Sequence, residues 1–174
     1  DAPGTLRFVD PAARIEVSGG LVVHPQGTLD AAPGAVIHMT GSAFENHCTD
    51  PAAEDDFVDL TMVFEGGPVD LDPFEVAGRD LGADLAAFSG NYALGALIIG
   101  GDDIGRLQLV NHVDNCLDWG GAEALYVDVL KVAPGCELDL NGMNLYYREG
   151  HLPNDAILIT GGGALVQVPE PATL

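Results

Sequence analysis

Acidic and amide side chains gather in short polar segments of an otherwise apolar chain. In order of density, these groups are Asp114 with Asn115 and Asp118, then Asp102 with Asp103, then Asp50 with Asp55 and Asp56. Calcium is a hard cation that takes six to eight oxygen ligands, so the densest group predicts a calcium cofactor. The chain has neither an EF-hand loop nor a G-G-x-G-x-D repeat, and a solvated acidic surface is the alternative.

Three cysteines, Cys48, Cys116 and Cys136, are the candidates for thiol chemistry. Cys48 and Cys116 both lie in segments rich in Asp and Asn, and no C-x-x-C pair indicates a zinc or haem site. We therefore expect a Cys48–Cys116 disulfide if the protein enters an oxidising compartment. The alternative is three buried thiols that pack as small hydrophobic side chains.

The remaining groups do not form a recognisable catalytic set. The five histidines include no H-E-x-x-H pair. His47 and His112 could meet if the disulfide formed, and a transition-metal site there is the hypothesis to set against solvent-exposed loop histidines. The sequence has no G-x-S-x-G elbow and no glycine loop for phosphate. Because 27 residues are acidic, no single carboxylate pair stands out as a glycosidase pair. We therefore expect no enzymatic activity.

The charge of the chain excludes several classes of partner. The 174 residues carry 27 Asp and Glu against 6 Lys and Arg, a formal charge of −21. Nucleic-acid binding depends on clustered basic residues, so it is excluded. The longest apolar stretch, Tyr92–Ile99, is interrupted by Gly95 and is far shorter than the roughly 20 residues of a membrane span. The chain begins at Asp1 rather than at Met, which agrees with removal of a signal peptide.

Apolar and polar residues alternate over about ten short segments bounded by Gly, Pro and Asp, which predicts an all-β protein. The alternating apolar pairs are Leu6 and Phe8, Ile15 and Val17, Leu21 and Val23, Ile37 and Met39, Met62 and Phe64, Val69 and Leu71, Leu107 and Leu109, Val127 and Val129, Leu138 and Leu140, and Ile157 and Ile159. Helical patterning is limited to two short segments, Asp80–Phe88 and Pro51–Phe57.

Some of these segments repeat each other. Leu21–Asp30 aligns without gaps on Leu130–Asp139, and both read L-x-V-x-P-x-x-x-L-D. A looser copy relates residues 93–109 to residues 124–140. Repeated units that cannot bury an apolar face alone are typical of solenoids. We therefore predict a parallel β-helix with short strands and Gly, Pro and Asp turns, with a β-sandwich as the alternative.

The pattern divides the chain into a body and a tail. Residues 1–160 form the predicted body, with an acidic loop near 48–57, and residues 161–174 form a tail that begins with the glycine-rich joint 161–163. A short strand follows the joint, formed by Ala164, Leu165, Val166, Gln167 and Val168. We expect this strand to pair with a sheet edge of another copy and to link subunits into a filament or a ring. Docking on its own subunit is the alternative.

The tail resembles a known sorting signal. Val168, Pro169, Glu170 and Pro171 look like the start of the PEP-CTERM signal of proteins processed by exosortase. Residues 121–127 and 138–148 are similar to a segment that precedes this signal in many such proteins, so the resemblance covers the chain from about residue 91. The membrane-spanning helix and basic tail that follow the motif in that family are missing here. The resemblance implies an exported protein of a Gram-negative-type bacterium, located in the envelope or extracellular matrix and linked to exopolysaccharide, and it implies no catalytic residues.

These observations predict a non-enzymatic structural protein of the cell surface or extracellular matrix. It would form a homo-oligomer or filament in a biofilm matrix, with exopolysaccharide as a further partner. The alternative is a carbohydrate-binding or polysaccharide-active β-helix protein. Trp119, the single tryptophan, precedes Gly120 and Gly121 and would suit a sugar-stacking platform, whereas core packing is the more ordinary role of such a residue.

Overall fold

The computed structural model describes residues 4–41, 43–50, 57–67 and 69–170, and these ranges contain sixteen β-strands and no α-helix. The strands in chain order are β1 Thr5–Phe8, β2 Arg14–Val17, β3 Leu21–Val23, β4 Thr28–Ala31, β5 Ala35–Thr40, β6 Phe44–Asn46, β7 Leu60–Glu65, β8 Asp72–Glu75, β9 Gly78–Arg79, β10 Leu94–Ile99, β11 Arg106–Val110, β12 Glu123–Val132, β13 Glu137–Asp139, β14 Asn144–His151, β15 Ile157–Ile159 and β16 Leu165–Gln167. The all-β prediction is confirmed.

The chain winds as a solenoid: β1 to β4 pass through three sheets, and from β5 onward the strands alternate between two of them, apart from the short addition β9. The larger sheet has the order β16, β14, β12, β10, β7, β5, β2, and the smaller sheet has the order β15, β13, β11, β8, β6, β3. Strands β1 and β4 form a separate parallel pair, and β9 joins β12 as an antiparallel addition. All pairings within the two main orders are parallel. The predicted parallel β-helix is therefore confirmed, and the β-sandwich alternative, which requires antiparallel sheets, does not describe the chain.

The core consists of columns of apolar side chains that stack from coil to coil. In the larger sheet the register places Ile37 beside Met62, Met62 beside Leu97, and Leu97 beside Leu130. All four are completely buried. Side chains on a strand alternate between its two faces, so the period-two pattern selects these inward positions. Burial of each such side chain stabilises the fold by about 1.5–3 kcal/mol.

The two sequence repeats have different structural meanings. The looser copy marks two successive coils, since Leu97 pairs with Leu130 and Leu107 pairs with Leu138. The gapless copy marks two turns of the same kind, one at each copy. Its first member joins β3 to β4 and its second joins β12 to β13, with the chain turning at Pro25 and at Pro134. The two copies thus join different pairs of sheets, and this repeat does not identify equivalent strands of two coils.

Two local predictions differ from the structure. The strand expected at Val69 and Leu71 begins instead at Asp72, and Val69 is 78% exposed, because this stretch belongs to the corner that leads from β7 to β8. The helix expected over Asp80–Phe88 is a single 3-10 turn, Leu85–Phe88, whose N-terminus is capped by the Asp84 side chain. In the other predicted helix, Pro51–Phe57, and in the acidic loop near 48–57, residues 51–56 lie outside the described ranges.

The tail forms the last coil of the same solenoid. Strand β16 pairs in parallel with β14, and Leu165 lies beside Leu145. The glycine segment 161–163 is the corner that leads into β16, and it stacks on the corner at Asn141 and Gly142. A Cβ atom on Gly163 would overlap the backbone carbonyl of Met143, so this position requires glycine. The segment expected to act as a flexible joint is therefore a close-packed turn, and its strand docks on its own chain.

Candidate functional site

The connection between β11 and β12, residues 111–122, is held on the body by two buried glutamates. The Glu75 carboxylate accepts hydrogen bonds from the backbone N–H groups of His112 and Val113, at 2.7 and 2.8 Å. The Glu123 carboxylate accepts from those of Asn115 and Cys116, at 2.8 and 3.0 Å. Two buried carboxyl groups thus fix four of the five backbone amides between residues 112 and 116.

Burial sets the protonation behaviour of both glutamates. Burial raises the pKa of Glu123 to about 7, against the opposing effect of its two backbone hydrogen bonds. Burial likewise raises the pKa of Glu75. Both carboxyl groups are 5% exposed or less, so loss of hydration disfavours their charged forms. Neither glutamate stood out in the sequence as a candidate site residue. Each of them is flanked on both sides by apolar residues, and this pattern could have indicated a buried carboxyl group.

Asn115 joins this connection to the segment before residue 51. Its side-chain amide donates to the backbone carbonyls of Asn46 and Cys48, at 2.9 and 2.7 Å. The side chain is fully buried, and its carbonyl oxygen accepts no hydrogen bond from the described part of the chain. Asn115 is therefore a packing element that ties this connection to the end of β6 and to Cys48, 67 to 69 residues away in sequence.

The predicted calcium residues do not present one common set of oxygens. Asn115 is buried as described, Asp114 accepts a hydrogen bond from the Cys116 N–H at 3.2 Å, and Asp118 is exposed. Among the residues with a described placement, no group of three or more His, Cys, Asp or Glu side chains is arranged to hold a metal ion. Asp102 and Asp103 lie in the corner between β10 and β11, and of the third predicted group only Asp50 lies within the described ranges.

All three cysteines are buried and are present as thiols, so the structure does not contain the expected Cys48–Cys116 disulfide. The Cys48 thiol donates to the Asp50 carbonyl at 3.5 Å, and the Cys116 thiol donates to the Ala77 carbonyl at 3.1 Å. The polar residues around each cysteine bond to nearby backbone, which turns the sulfur atoms into the core. The alternative of buried thiols is the arrangement that the structure has.

The two histidines considered for a transition metal pair with different carboxylates. The His47 ring lies 3.2 Å from Glu45, and the exposed His112 ring lies 4.0 Å from Glu75. His112 is 76% exposed in its side chain, as expected of a loop histidine.

A polar cleft lies on the outer side of the connection. Its volume is about 370 Å³, and its walls include Asn111, Asp114, Trp119, Gly120 and Glu123. The indole N–H of Trp119 donates to the Ala122 carbonyl at 3.0 Å, and the ring is half-buried. With its nitrogen turned inward, the Asn111 amide donates to Val113 and to Glu123, at 3.0 Å each. We call this feature the polar cleft.

The predicted sorting residues lie at the edge of the last coil. Val168 is buried in a second apolar cluster with Tyr126 and Tyr146, outside the solenoid interior. The carboxylate of Glu170 accepts a hydrogen bond from Arg148 Nε at 2.7 Å, and Arg148 also donates to Asp128 at 3.1 Å. Pro169 is exposed, and Pro171 lies outside the described residues.

The C-terminal end of the smaller sheet is apolar and exposed. Ile157, Leu158 and Ile159 form β15, the edge strand, and they are 48%, 45% and 43% exposed. At the opposite end, β3 is the edge strand of the same sheet. There an apolar groove of about 310 Å³ lies between β1 and β3, with Leu6, Leu21 and Val23 among its lining residues. We call these two regions the C-terminal end and the N-terminal groove.

Compared with known protein families, with curated proteins and with solved structures, the chain has no match in any of the three. In the described part of the chain, no helix has the length and apolar character needed to cross a bilayer.

Proposed function

We propose that this chain is an exported, non-enzymatic structural protein whose copies associate end to end. The observation that carries the proposal is the exposed β15 strand, because it leaves an interior column of the solenoid open at its end. Leu107 lies beside Leu138, and Leu138 lies beside Leu158. The first two are completely buried, whereas 45% of Leu158 is exposed.

A second copy is the occupant that suits this end. The edge of a parallel sheet carries unpaired N–H and C=O groups that another strand can use. Strands β15 and β16 present such edges at one end of the solenoid, and β3 presents one at the other. Both ends also expose apolar side chains, including Leu158 and, on β3, Val22 at 38%. Contact between unlike ends of identical copies repeats without limit unless the chain of copies closes into a ring.

The distribution of charge permits this contact despite the net charge of −21. Residues 1–40 carry two Arg against four acidic residues, and residues 151–174 carry two acidic residues and no Lys or Arg. The segments at the two ends therefore have a formal charge of −2 each, and the other −17 falls on residues 41–150. Like charges on the sides of the solenoid would oppose lateral contact, whereas the ends approach with little repulsion.

The cell-surface location belongs to the same proposal. The motif at Val168, Pro169 and Glu170 begins where the last coil ends, so a sorting signal at this place would leave the folded body intact. Export to the surface or matrix of a Gram-negative-type bacterium would place the solenoid where filaments act, in a biofilm matrix with exopolysaccharide. This location rests on the resemblance of the tail.

Sedimentation velocity over a range of concentrations tests the association. We expect the wild-type chain to form species larger than a dimer, and we expect Ile157→Lys with Leu158→Lys to remain monomeric. The matched control is Val69→Lys with Leu117→Lys, because these residues are 78% and 70% exposed and lie away from both ends. The control should associate like the wild type.

Two results would contradict the proposal. One is a wild-type chain that stays monomeric at all concentrations, both as isolated and after secretion. The other is association that the control pair weakens as much as the β15 pair, since loss of association would then follow from added charge alone. A Val22→Lys variant, at the opposite end, provides an independent check and should also block association.

A further inference from the structure

We propose that the polar cleft binds a neutral saccharide. This inference does not depend on end-to-end association, because the cleft lies on the connection between β11 and β12 and not at either end of the solenoid.

Trp119 supplies the apolar surface that a sugar ring needs. The hydrogen bond from its indole N–H to Ala122 fixes the orientation of the ring. A side chain at position 121 would overlap the indole, since its Cβ would lie 2.7 Å from the ring nitrogen, whereas the space around Gly120 is open. Gly121 therefore lets the backbone pack against the indole, which also packs in part against the main core, while Gly120 faces open space. Aromatic rings pack well against one face of a ligand while polar groups bond at its rim.

The polar walls supply acceptors for hydroxyl groups. Asp114 is exposed and uses one carboxylate oxygen for the Cys116 N–H, so its other oxygen can accept a bond from a hydroxyl. His112, at 76% side-chain exposure, lines the same cleft. Stacking on one side and hydrogen bonds on the other is a combination that suits a ring with an apolar face and hydroxyl edges.

The connection is fixed before a ligand arrives. Glu75 and Glu123 hold four of its amides, and Asn115 ties it to residues 46 and 48. A site that is already ordered loses little conformational entropy on binding. The rigid body of the solenoid thus positions Trp119 and Asp114 relative to each other.

The local charge selects against anionic ligands. The exposed Asp114 carboxylate lines the cleft, and the exposed Asp118 carboxylate lies in the same connection. The described residues that line the cleft include no Lys or Arg, and Arg79, which pairs in register with Glu123 on β9, is not one of them. Phosphates and uronates would meet like charge here, so the saccharide is expected to be neutral.

The single tryptophan makes the cleft directly observable. We would titrate the wild-type chain with maltohexaose, cellohexaose, xylohexaose and mannohexaose and record Trp119 fluorescence, with hexagalacturonate as the anionic counterpart. We expect at least one neutral oligomer to give a saturable change and hexagalacturonate to give none.

Three variants locate the binding. Gly120→Gln adds a side chain to a wall of the cleft, where its Cβ meets open space, and should block saccharide binding and abolish the fluorescence change without altering the fold. Asp114→Asn should weaken binding several-fold, while Asp118→Asn, in the same connection but outside the cleft walls, should leave it unchanged. Circular dichroism melts confirm that each variant is folded.

Three outcomes would overturn the proposal. The first is no saturable change for any neutral oligomer up to about 10 mM, the upper limit of weak specific binding. The second is equal binding of hexagalacturonate, and the third is binding that survives Gly120→Gln in a folded variant. If sedimentation velocity shows only monomers, the proposal of saccharide binding still stands. If no saccharide binds, the proposal of end-to-end association still stands.

Discussion

Leu158 lies directly beside Leu138 in the parallel register of the smaller sheet, yet 45% of Leu158 is exposed whereas Leu138 is completely buried. The two leucines therefore occupy the same column with different surroundings. In the described part of the chain, Leu138 lies between two coils, whereas Leu158 is covered by a coil on one side only.

Truncation of these two leucines should separate their contributions to stability. Under monomeric conditions we expect Leu138→Ala to lower the free energy of unfolding by about 2–5 kcal/mol, the range for a buried leucine. Leu158→Ala should cost less than about 1 kcal/mol, because half of its surface is already hydrated. Urea unfolding of both variants measures the difference. Equal losses would show that the C-terminal end is covered in the monomer.

Replacement of a corner glycine should loosen the last coil. Gly163→Ala places a Cβ against the Met143 carbonyl, so we expect the 161–163 corner to shift and β16 to detach from β14. Hydrogen exchange should then show loss of protection at the amides of Val166 and Val168, the second of which donates to the Tyr147 carbonyl, with protection of the central coils retained. Gly120→Ala is the control, since no atom lies within 4 Å of its added Cβ. Retained protection of β16 in Gly163→Ala would contradict the close-packed corner.

Glu123 should make stability depend on pH. Its pKa is raised from 4.5 to about 7, so the folded state holds a proton that the unfolded state releases above pH 4.5. The contribution is fully present below pH 4.5 and is lost as the pH rises through about 7. The shift corresponds to at most about 3 kcal/mol.

Comparison with Glu123→Gln isolates this contribution. The glutamine keeps an oxygen for the Asn115 and Cys116 amides but does not ionise. The unfolding free energy should fall as the pH rises from about 5 to about 8. We expect this fall to be smaller in the variant than in the wild type. Glu149→Gln, at an exposed position, is the control and should follow the wild type. Identical pH dependence in wild type and Glu123→Gln would refute the assignment.

The thiols should be slow to react in the folded protein. Burial, reinforced by the neighbouring Glu123 charge, raises the pKa of Cys116 to about 11, so little thiolate forms at neutral pH. Cys48 and Cys136 are 1% and 0% exposed. We expect iodoacetamide to label all three cysteines many-fold faster in denaturant than in native buffer. Rapid native labelling of Cys116, or its recovery in a Cys48–Cys116 disulfide peptide, would contradict the thiol arrangement.

The alternation of apolar and polar residues predicted which strand residues face the core better than it predicted contacts between distant parts of the chain. The alternation at Ile37 and Met39 or at Met62 and Phe64 identifies inward positions, because each strand must place every second side chain in the core. The same alternation separates two adjacent tyrosines of β14, because Tyr146 packs in the second cluster while Tyr147 packs against the main core. These features depend on neighbours along the chain.

Features that depend on distant partners were not predictable in this way. The requirement for glycine at position 163 comes from Met143 in the preceding coil, and the buried role of Asn115 comes from carbonyls at residues 46 and 48. Asp and Asn near the cysteines indicated exposed loops, but these side chains bond to the backbone and the thiols turn inward. The polar cleft likewise depends on Glu75, which lies 37 residues before His112.

The arrangement of β14, β16 and the Arg148–Glu170 ion pair has a mechanical consequence. A pull on the C-terminal side of the chain would act first on the short β16 pairing and on this ion pair, and the interior coils would remain unloaded. Parallel strands stacked in sequence order would then peel away one coil at a time. A coil such as the one between Leu145 and Leu165 holds 20 residues. Its release would lengthen the chain by about 70 Å, so the solenoid would yield under tension in steps rather than all at once.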